Sequence, residues 1–462
     1  LIPHSNPEEL MAWHPLRVRR KLDRWAFFVA FGIPILACAD ARAQEASATP
    51  TVAPAASKIG LGDAVKLART RGYDVVLASA AVRGAEGDVR AAGQLPNPLL
   101  QPSVGFTLQC PNNSCQTGNP GGYGIGLADQ GLVEGALTRK RALKEEVAQR
   151  ALDAAKFGRV DAERIIVAAT KIQYIQTAAA AAKLDFTKDV AASLAKSVEV
   201  TRARYPGVID EGQLARVEQE GLKADQEVDR AQRDYRQQQI ELAFLLGHTG
   251  AIPDLQVDKE VLKFRVPDAL SSANKDSLFR VAIENRPDRR QALAKEAQGD
   301  AQIAYAKRVR FPDVSLSANY AQQGTGDYTS QLPTLTFGAS FPIPLFYQQQ
   351  GEIYRAEADR EAASTARRKI EGTLFADIES AFSAFTTARS IVERYESALL
   401  ERAKRAREIT QVQFDRGAAR LTDLLDAQRS FVAVNSDYYV ELVNYWTAVF
   451  QLEQAIGKEL TP

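Results

Sequence analysis

Methionine, histidine and cysteine are nearly missing from this chain: 462 residues contain one, three and three of them. So few soft ligands leave little from which to build a metal centre, and no nucleophile–base pair or phosphate-binding glycine loop stands out. Neither catalysis nor a cofactor is expected. An excess of one charge is missing too. The 58 Lys and Arg residues against 57 Asp and Glu give a net charge of +1, without the basic surplus that a nucleic-acid partner favours.

Proline is absent between Pro120 and Pro206, and again between Pro344 and Pro462. Since proline breaks helix interiors, these stretches, rich in alanine and charge, predict long helices. In the first, Ile165, Ala169, Ile172, Ile175, Ala179 and Ala182 begin an apolar stripe that continues to Val198. Its step of about 3.7 residues is close to the α-helical pitch and suits a nearly straight rod. A helix from about Leu132 to Ala203 would be on the order of 100 Å long, beyond the needs of a compact domain.

What is there falls into two copies of one plan. The segment 71–98 aligns without a gap on 285–312, placing Asp74 on Asp288, Ala78 on Ala292 and Pro98 on Pro312. Further along, "RYPGVIDEGQLARVEQ" aligns with "QFDRGAARLTDLLDAQ", with Tyr205 on Phe414, and both run into helices ending at Gly247 and Gly457. A tandem duplication is the simplest account. The expected organisation is repeat 1 over 58–250, a linker over 251–274 and repeat 2 over 275–462.

The N-terminus reads as a targeting segment. Met11 is the only methionine, so residues 1–10 are expected to be an upstream extension. A basic stretch, an apolar run from Trp25 to Ala37 and Ala41-Arg42-Ala43 then form a signal peptide over 11–43, with a linker over 44–57. The apolar run is short for a membrane-spanning helix. Cys38, in "ILAC", offers an alternative as a lipid-attachment site. Cys110 and Cys115 lie close together in "QCPNNSCQ", and in an exported protein such a pair predicts a disulfide.

Each half places two strand-like segments between its helices, giving hairpins over 98–130 and 312–346. Val314, Leu316, Ala318 and Tyr320 alternate with Ser315, Ser317 and Asn319; Leu335, Phe337, Ala339 and Phe341 alternate with Thr336, Gly338 and Ser340. One apolar face and one small polar face suit a membrane barrel around a wet lumen, although half-buried soluble hairpins would alternate in the same way. Four strands cannot close a barrel, and open edges are not tolerated in lipid. Three copies would supply twelve strands, so each hairpin is expected to pair internally and then with strands of neighbouring subunits. The fold class is therefore α+β, mostly α, with long antiparallel helices, four membrane strands per protomer and a tandem repeat.

With its duplicated helix–strand–strand–helix order, its Pro98 and Pro312 entries to the hairpins, "FPIPLFYQQQGEI" (341–353) and "FDRGAARLTDLLDAQRS" (414–430), the chain resembles the TolC family of outer-membrane efflux proteins. The likeness runs from Leu61 to Gly457. It leans toward the heavy-metal resistance branch through residues 202–247. The resemblance implies a homotrimer with a twelve-stranded barrel in outer-membrane lipid and a trimeric α-helical barrel in the periplasm. Its implied partners are a periplasmic adaptor and an inner-membrane RND pump, and its role a passive duct. Other readings are the exit duct of a type I protein-secretion system and a periplasmic coiled-coil scaffold or adaptor without a pore.

The resemblance also implies where the entrance lies. The turns holding Tyr205, Gly207 and Gly417 would form the adaptor-contacting tip. Asp423 and Asp426 match the family's paired aspartates at the narrow entrance, and their spacing puts both on one helix face. Phe414 stands where some members have a latching tyrosine, and Ala419 where those members have an arginine, with Arg420 one position along. Asp210 and Glu211 lie in the corresponding turn of the first half.

Overall fold

The computed structural model describes residues 57–105, 122–129, 131, 138–205, 207, 210–250, 252–271, 274–323 and 332–460. The signal segment, Cys38 and the Cys110–Cys115 pair lie outside them.

Elements appear in the same order twice. Strand β1 (Ser57–Ile59) precedes the first set: α1 (Leu61–Arg71), α2 (Tyr73–Gly93), β2 (Leu99–Gly105), β3 (Gly122–Ala128), α3 (Lys140–Ala203) and α4 (Glu211–Leu245). The segment joining the repeats carries β4 (Leu255–Val257), a 3-10 turn (Lys259–Leu262) and α5 (Asp268–Ser271). The second set is α6 (Lys275–Asn285), α7 (Pro287–Val309), β5 (Ser315–Gln323), β6 (Thr334–Ser340), α8 (Gln350–Arg394), α9 (Leu400–Asp415) and α10 (Leu421–Ile456). A π-helical turn, Tyr395–Leu399, joins α8 to α9, so the counterpart of the unbroken α3 is a helix with one bulge. At 64 residues, α3 is about 96 Å long. Among the described residues no helix is long and apolar enough to cross a membrane.

The main core sits where α3, α4, α8 and α10 meet the short elements. Tyr174, Leu242, Ile378, Tyr445, Trp446 and Phe450 are among its buried residues. Strands β1 and β4 pair in parallel there, pinned by the Tyr174 hydroxyl, which donates to the Ile59 carbonyl and accepts from the Asp258 amide, both at 2.8 Å. Sequence periodicity placed this interior only as an apolar stripe; the seam with the short strands arises from non-local pairing.

The four long strands form one antiparallel sheet in the order β2-β3-β5-β6. This corrects the expectation about β5: its second partner is β3 of the same chain rather than a strand of a neighbouring subunit. Among the described residues only the outer edges of this sheet, on β2 and β6, stay unpaired within the protomer. The last strand is also shorter than expected. It ends at Ser340, because Pro342 and Pro344 have no amide hydrogen to continue a ladder.

Glycines end both repeats in equivalent places. Gly247, after α4, has φ +76°, and a β-carbon on it would lie 2.3 Å from the Arg71 carbonyl oxygen at the α1–α2 junction. Gly457, after α10, has φ +70° and would meet the Arg286 backbone at 3.2 Å at the α6–α7 junction. Arg286 itself is 5% exposed and holds that corner through Asp288 at 2.6 Å and Asp377 at 2.8 Å. Gly417 has φ +73° but open space around it. Alanine at Gly417 is therefore expected to cost about 1–2 kcal/mol from the left-handed backbone alone. Gly247→Ala, which adds a backbone clash, should lower the thermal midpoint distinctly further, and equal losses for the two variants would refute the close-approach account.

Candidate functional site

The sheet register settles which residues share a face. Leu100, Ile125, Tyr320 and Leu335 lie on one side of their strands with Val104, Leu127, Leu316 and Phe337, and the pairs Leu100–Leu127, Ile125–Tyr320 and Tyr320–Leu335 stand directly opposite each other. The other side carries Gln101, Ser103, Ser317, Asn319, Thr336 and the glycines of β3. The expected alternation in β5 and β6 therefore holds across four strands. The apolar side is open to the surroundings: Leu100, Val104, Ile125 and Phe337 are all exposed. A soluble hairpin would press that side onto a core. On the polar side, Gly126 leaves room for Asn319, whose side-chain oxygen would lie 2.4 Å from any β-carbon there.

At the far ends of the long helices two turns pack together. Residues 204–210 join α3 to α4 and residues 416–420 join α9 to α10. Between them lies a small core of Leu194, Val217, Phe414, Leu421, Leu424 and Leu425. Phe414 is 7% exposed, with the Arg204 guanidinium 5.6 Å from its ring centre. It therefore acts here as a packing residue. Its repeat counterpart, Tyr205, is 41% exposed.

The acidic residues of both turns sit at helix N-termini, where the helix dipole favours them. Asp210 caps α4 by accepting from the Gln213 amide at 2.8 Å, and Glu211 follows it, exposed. Asp423 accepts from the Arg420 amide at 3.1 Å and so caps α10. Arg420 is exposed, and the same residue's carbonyl accepts from the Asp423 amide at 3.1 Å. Asp426 is exposed and lies 3.3 Å from Arg429. Gly207, with φ +154°, and Gly417 mark the two turns.

Sequence reasoning missed the ion pair that ties together the helices leaving the two turns. Arg429 Nη2 on α10 donates to Glu220 Oε1 on α4 at 2.7 Å. When Tyr205 is aligned on Phe414, Glu220 and Arg429 fall on the same repeat position. Opposite charges at one repeat position were the available signal. The Arg429 hydrogen bond holds the Glu220 carboxyl below the usual carboxylate range, against a burial effect that pushes it up, and Lys223 adds to the lowering.

A carboxylate lowered in the folded state stabilises it above its unfolded value of about 4.3 and loses that contribution as pH falls through the folded value. A double-mutant cycle of Glu220→Gln and Arg429→Ala, followed by thermal unfolding, should give a coupling of about 0.5–1 kcal/mol at neutral pH, discounted for the exposed arginine. The coupling should fade as pH falls below the usual carboxylate range. A coupling independent of pH would rule out the ionised pair.

Comparison with known proteins bears on the whole arrangement. Residues 278–458 match the family model described as "Outer membrane efflux protein". The cobalt-zinc-cadmium resistance protein CzcC of Cupriavidus metallidurans is 22% identical over 412 residues, covering 87% of this chain and 91% of that protein. Among solved structures, CusC superposes with a TM-score of 0.70 at 17% identity, over 86% of this chain and 92% of that one. The CmeC channel of Campylobacter jejuni gives 0.70 at 18% identity, over 86% and 85%. The structural likeness shows the shared fold, and the family match falls on the repeat that holds β5, β6 and the α9–α10 turn. With its duplicated helices and its four-stranded sheet open on the apolar side, the chain shares the fold of these outer-membrane channels, and its second repeat matches the outer membrane efflux protein family.

Proposed function

We propose that the protein is the outer-membrane duct of a tripartite efflux system, a passive channel whose helices project into the periplasm. The single observation that carries this reading is the four-stranded sheet with an exposed apolar face and two unpaired edges. In lipid each unpaired backbone group costs several kcal/mol, so those edges must find partners. Edge β2 of one copy joining edge β6 of the next completes a closed cylinder from three copies. The homotrimer thus answers a hydrogen-bonding demand. The exposed apolar face also weighs against a pore-free coiled-coil scaffold, which has no lipid to cover it.

The likeness to outer membrane efflux proteins supports a periplasmic adaptor and an inner-membrane RND pump as partners, with the two packed turns at the helix ends as the adaptor-contacting tip. Three copies of Asp426 around an axis would make an acidic ring that favours cations. Asp210, Glu211 and Asp423 add charge at the same end, and Asp210 and Asp423 also cap their own helices. Metal cations are the proposed cargo, on the strength of the nearly full-length likeness to a protein named for cobalt, zinc and cadmium resistance.

Planar-bilayer conductance tests the reading. The purified protein should insert and show a small, cation-selective conductance, and Asp426→Ala together with Asp423→Ala should raise it or abolish its selectivity. The two substitutions separate in stability. Loss of the Asp423 cap should cost about 1 kcal/mol, while Asp426→Ala should be nearly neutral, since its partner among the described residues is the exposed Arg429. Insertion with an unchanged conductance in the double variant would remove the entrance assignment, and a chain that washes off membranes in high salt would remove the channel itself.

A further inference from the structure

The junction between sheet and helices gathers positive charge, part of which meets no carboxylate among the described residues. Helix α3 opens with Arg139, Lys140, Arg141 and Lys144 and has no acidic residue in its first turn. That order opposes the helix dipole, whose N-terminal end repels cations. Helix α7 closes with Lys307 and Arg308, followed by Arg310. The two basic ends are clamped together: Lys140 pairs with Asp313 and donates to the Phe311 carbonyl at 2.7 Å, and Arg308 donates to the Thr138 carbonyl. Asp313 serves Lys140 and Glu357 serves Lys307. Arg139, Arg141 and Lys144 keep no carboxylate partner among the described residues.

The fold does not impose this charge. The equivalent helix of the second repeat, α8, starts in the same way, from a left-handed residue at Gln349 as α3 does from Arg139, yet it carries Glu352 in its first turn. The basic opening therefore belongs to α3 alone. Apolar groups adjoin it. The Arg308 guanidinium lies 4.8 Å from the Phe311 ring centre. Arg310 hydrogen-bonds Gln348, drawing in the segment after β6, where Ile343, Leu345 and Phe346 are exposed, Phe346 at 98%. Cations beside an aromatic and apolar band, just below strands that face lipid, sit at the level of a leaflet's phosphates.

We propose that this collar is a docking surface for the phosphate headgroups of anionic phospholipid in the leaflet next to the helices, with Arg139, Arg141 and Lys144 supplying the free charge. The proposal rests on the outer-membrane reading above. It explains why Arg139, Arg141 and Lys144, without a carboxylate partner among the described residues, are kept at a helix start that disfavours cations: the lipid supplies the opposite charge.

The test places the full chain in nanodiscs of phosphatidylcholine, alone or mixed with phosphatidylglycerol, and reads the thermal midpoint and the lipids retained in native mass spectrometry. Wild type should be stabilised by phosphatidylglycerol, retain it preferentially and lose both effects in high salt. The triple substitution Arg139→Gln, Arg141→Gln and Lys144→Gln should cut the preference at least about fivefold, the factor that ~1 kcal/mol from one juxtamembrane cation supplies, with conductance unchanged. An unchanged preference in the triple variant overturns the proposal. So does a change in conductance with lipid retention intact, which would put the cations in the lumen, or an equal stabilisation by inorganic phosphate in phosphatidylcholine discs. Should the variant fail to fold, a salt-insensitive preference in wild type overturns it as well. Failure of the outer-membrane reading looks different: wild type would then not enter discs of either composition.

Discussion

Backbone hydrogen bonding at the two free edges of the sheet is the constraint on which the rest depends. Strands β2 and β6 each present an unpaired ladder, and the face between them is apolar and uncovered. Water could satisfy the ladders but would penalise the face; lipid could cover the face but would leave the ladders unmade. A closed ring of identical sheets meets both demands at once. On the proposed reading oligomerisation follows from the strand chemistry, and the long helices, continuous in chain with those strands, would follow the same ring.

The duplication shapes where rigidity and variation lie. Equivalent glycines close both repeats against equivalent helix junctions, Gly247 on Arg71, where a side chain would collide with backbone, and Gly457 on Arg286, where it would be tightly crowded. Elsewhere the copies have diverged into complements. Glu220 and Arg429 hold the same repeat position and pair with each other, while Tyr205 is exposed where Phe414 is buried. At the other end, α3 opens on cations and α8 on Glu352. A pseudo-symmetric frame whose equivalent positions carry different chemistry can bind two different surroundings, lipid at one end and a protein partner at the other.

The acids near the tip show how one residue serves two levels of structure. Asp210 and Asp423 satisfy orphan amides at helix starts, a local role that the helix dipole reinforces. The same carboxylates stay exposed, so symmetry can gather them into a ring. Among the described residues Asp426 has no capping duty and meets Arg429 alone, which makes it the purer electrostatic element of the pair. Caps can therefore anchor charge where a pore needs it, without a dedicated site.

Proline gaps, the period-two alternation and the gapless internal match carried the long helices, the four strands and the repeat on their own, because these are local or self-similar patterns that need no knowledge of the partner. The face assignment of β5 and β6 was legible for the same reason. The β3–β5 pairing was not, since it joins the two repeats across some 200 residues and leaves no periodic trace. Nor did spacing alone reveal that Phe414 is buried under Arg204, or that Arg429 reaches past Asp426 to Glu220. Local chemistry decided which segments form and which way they face; only packing in three dimensions decided which charges meet, because that depends on distances between residues that the chain order keeps far apart.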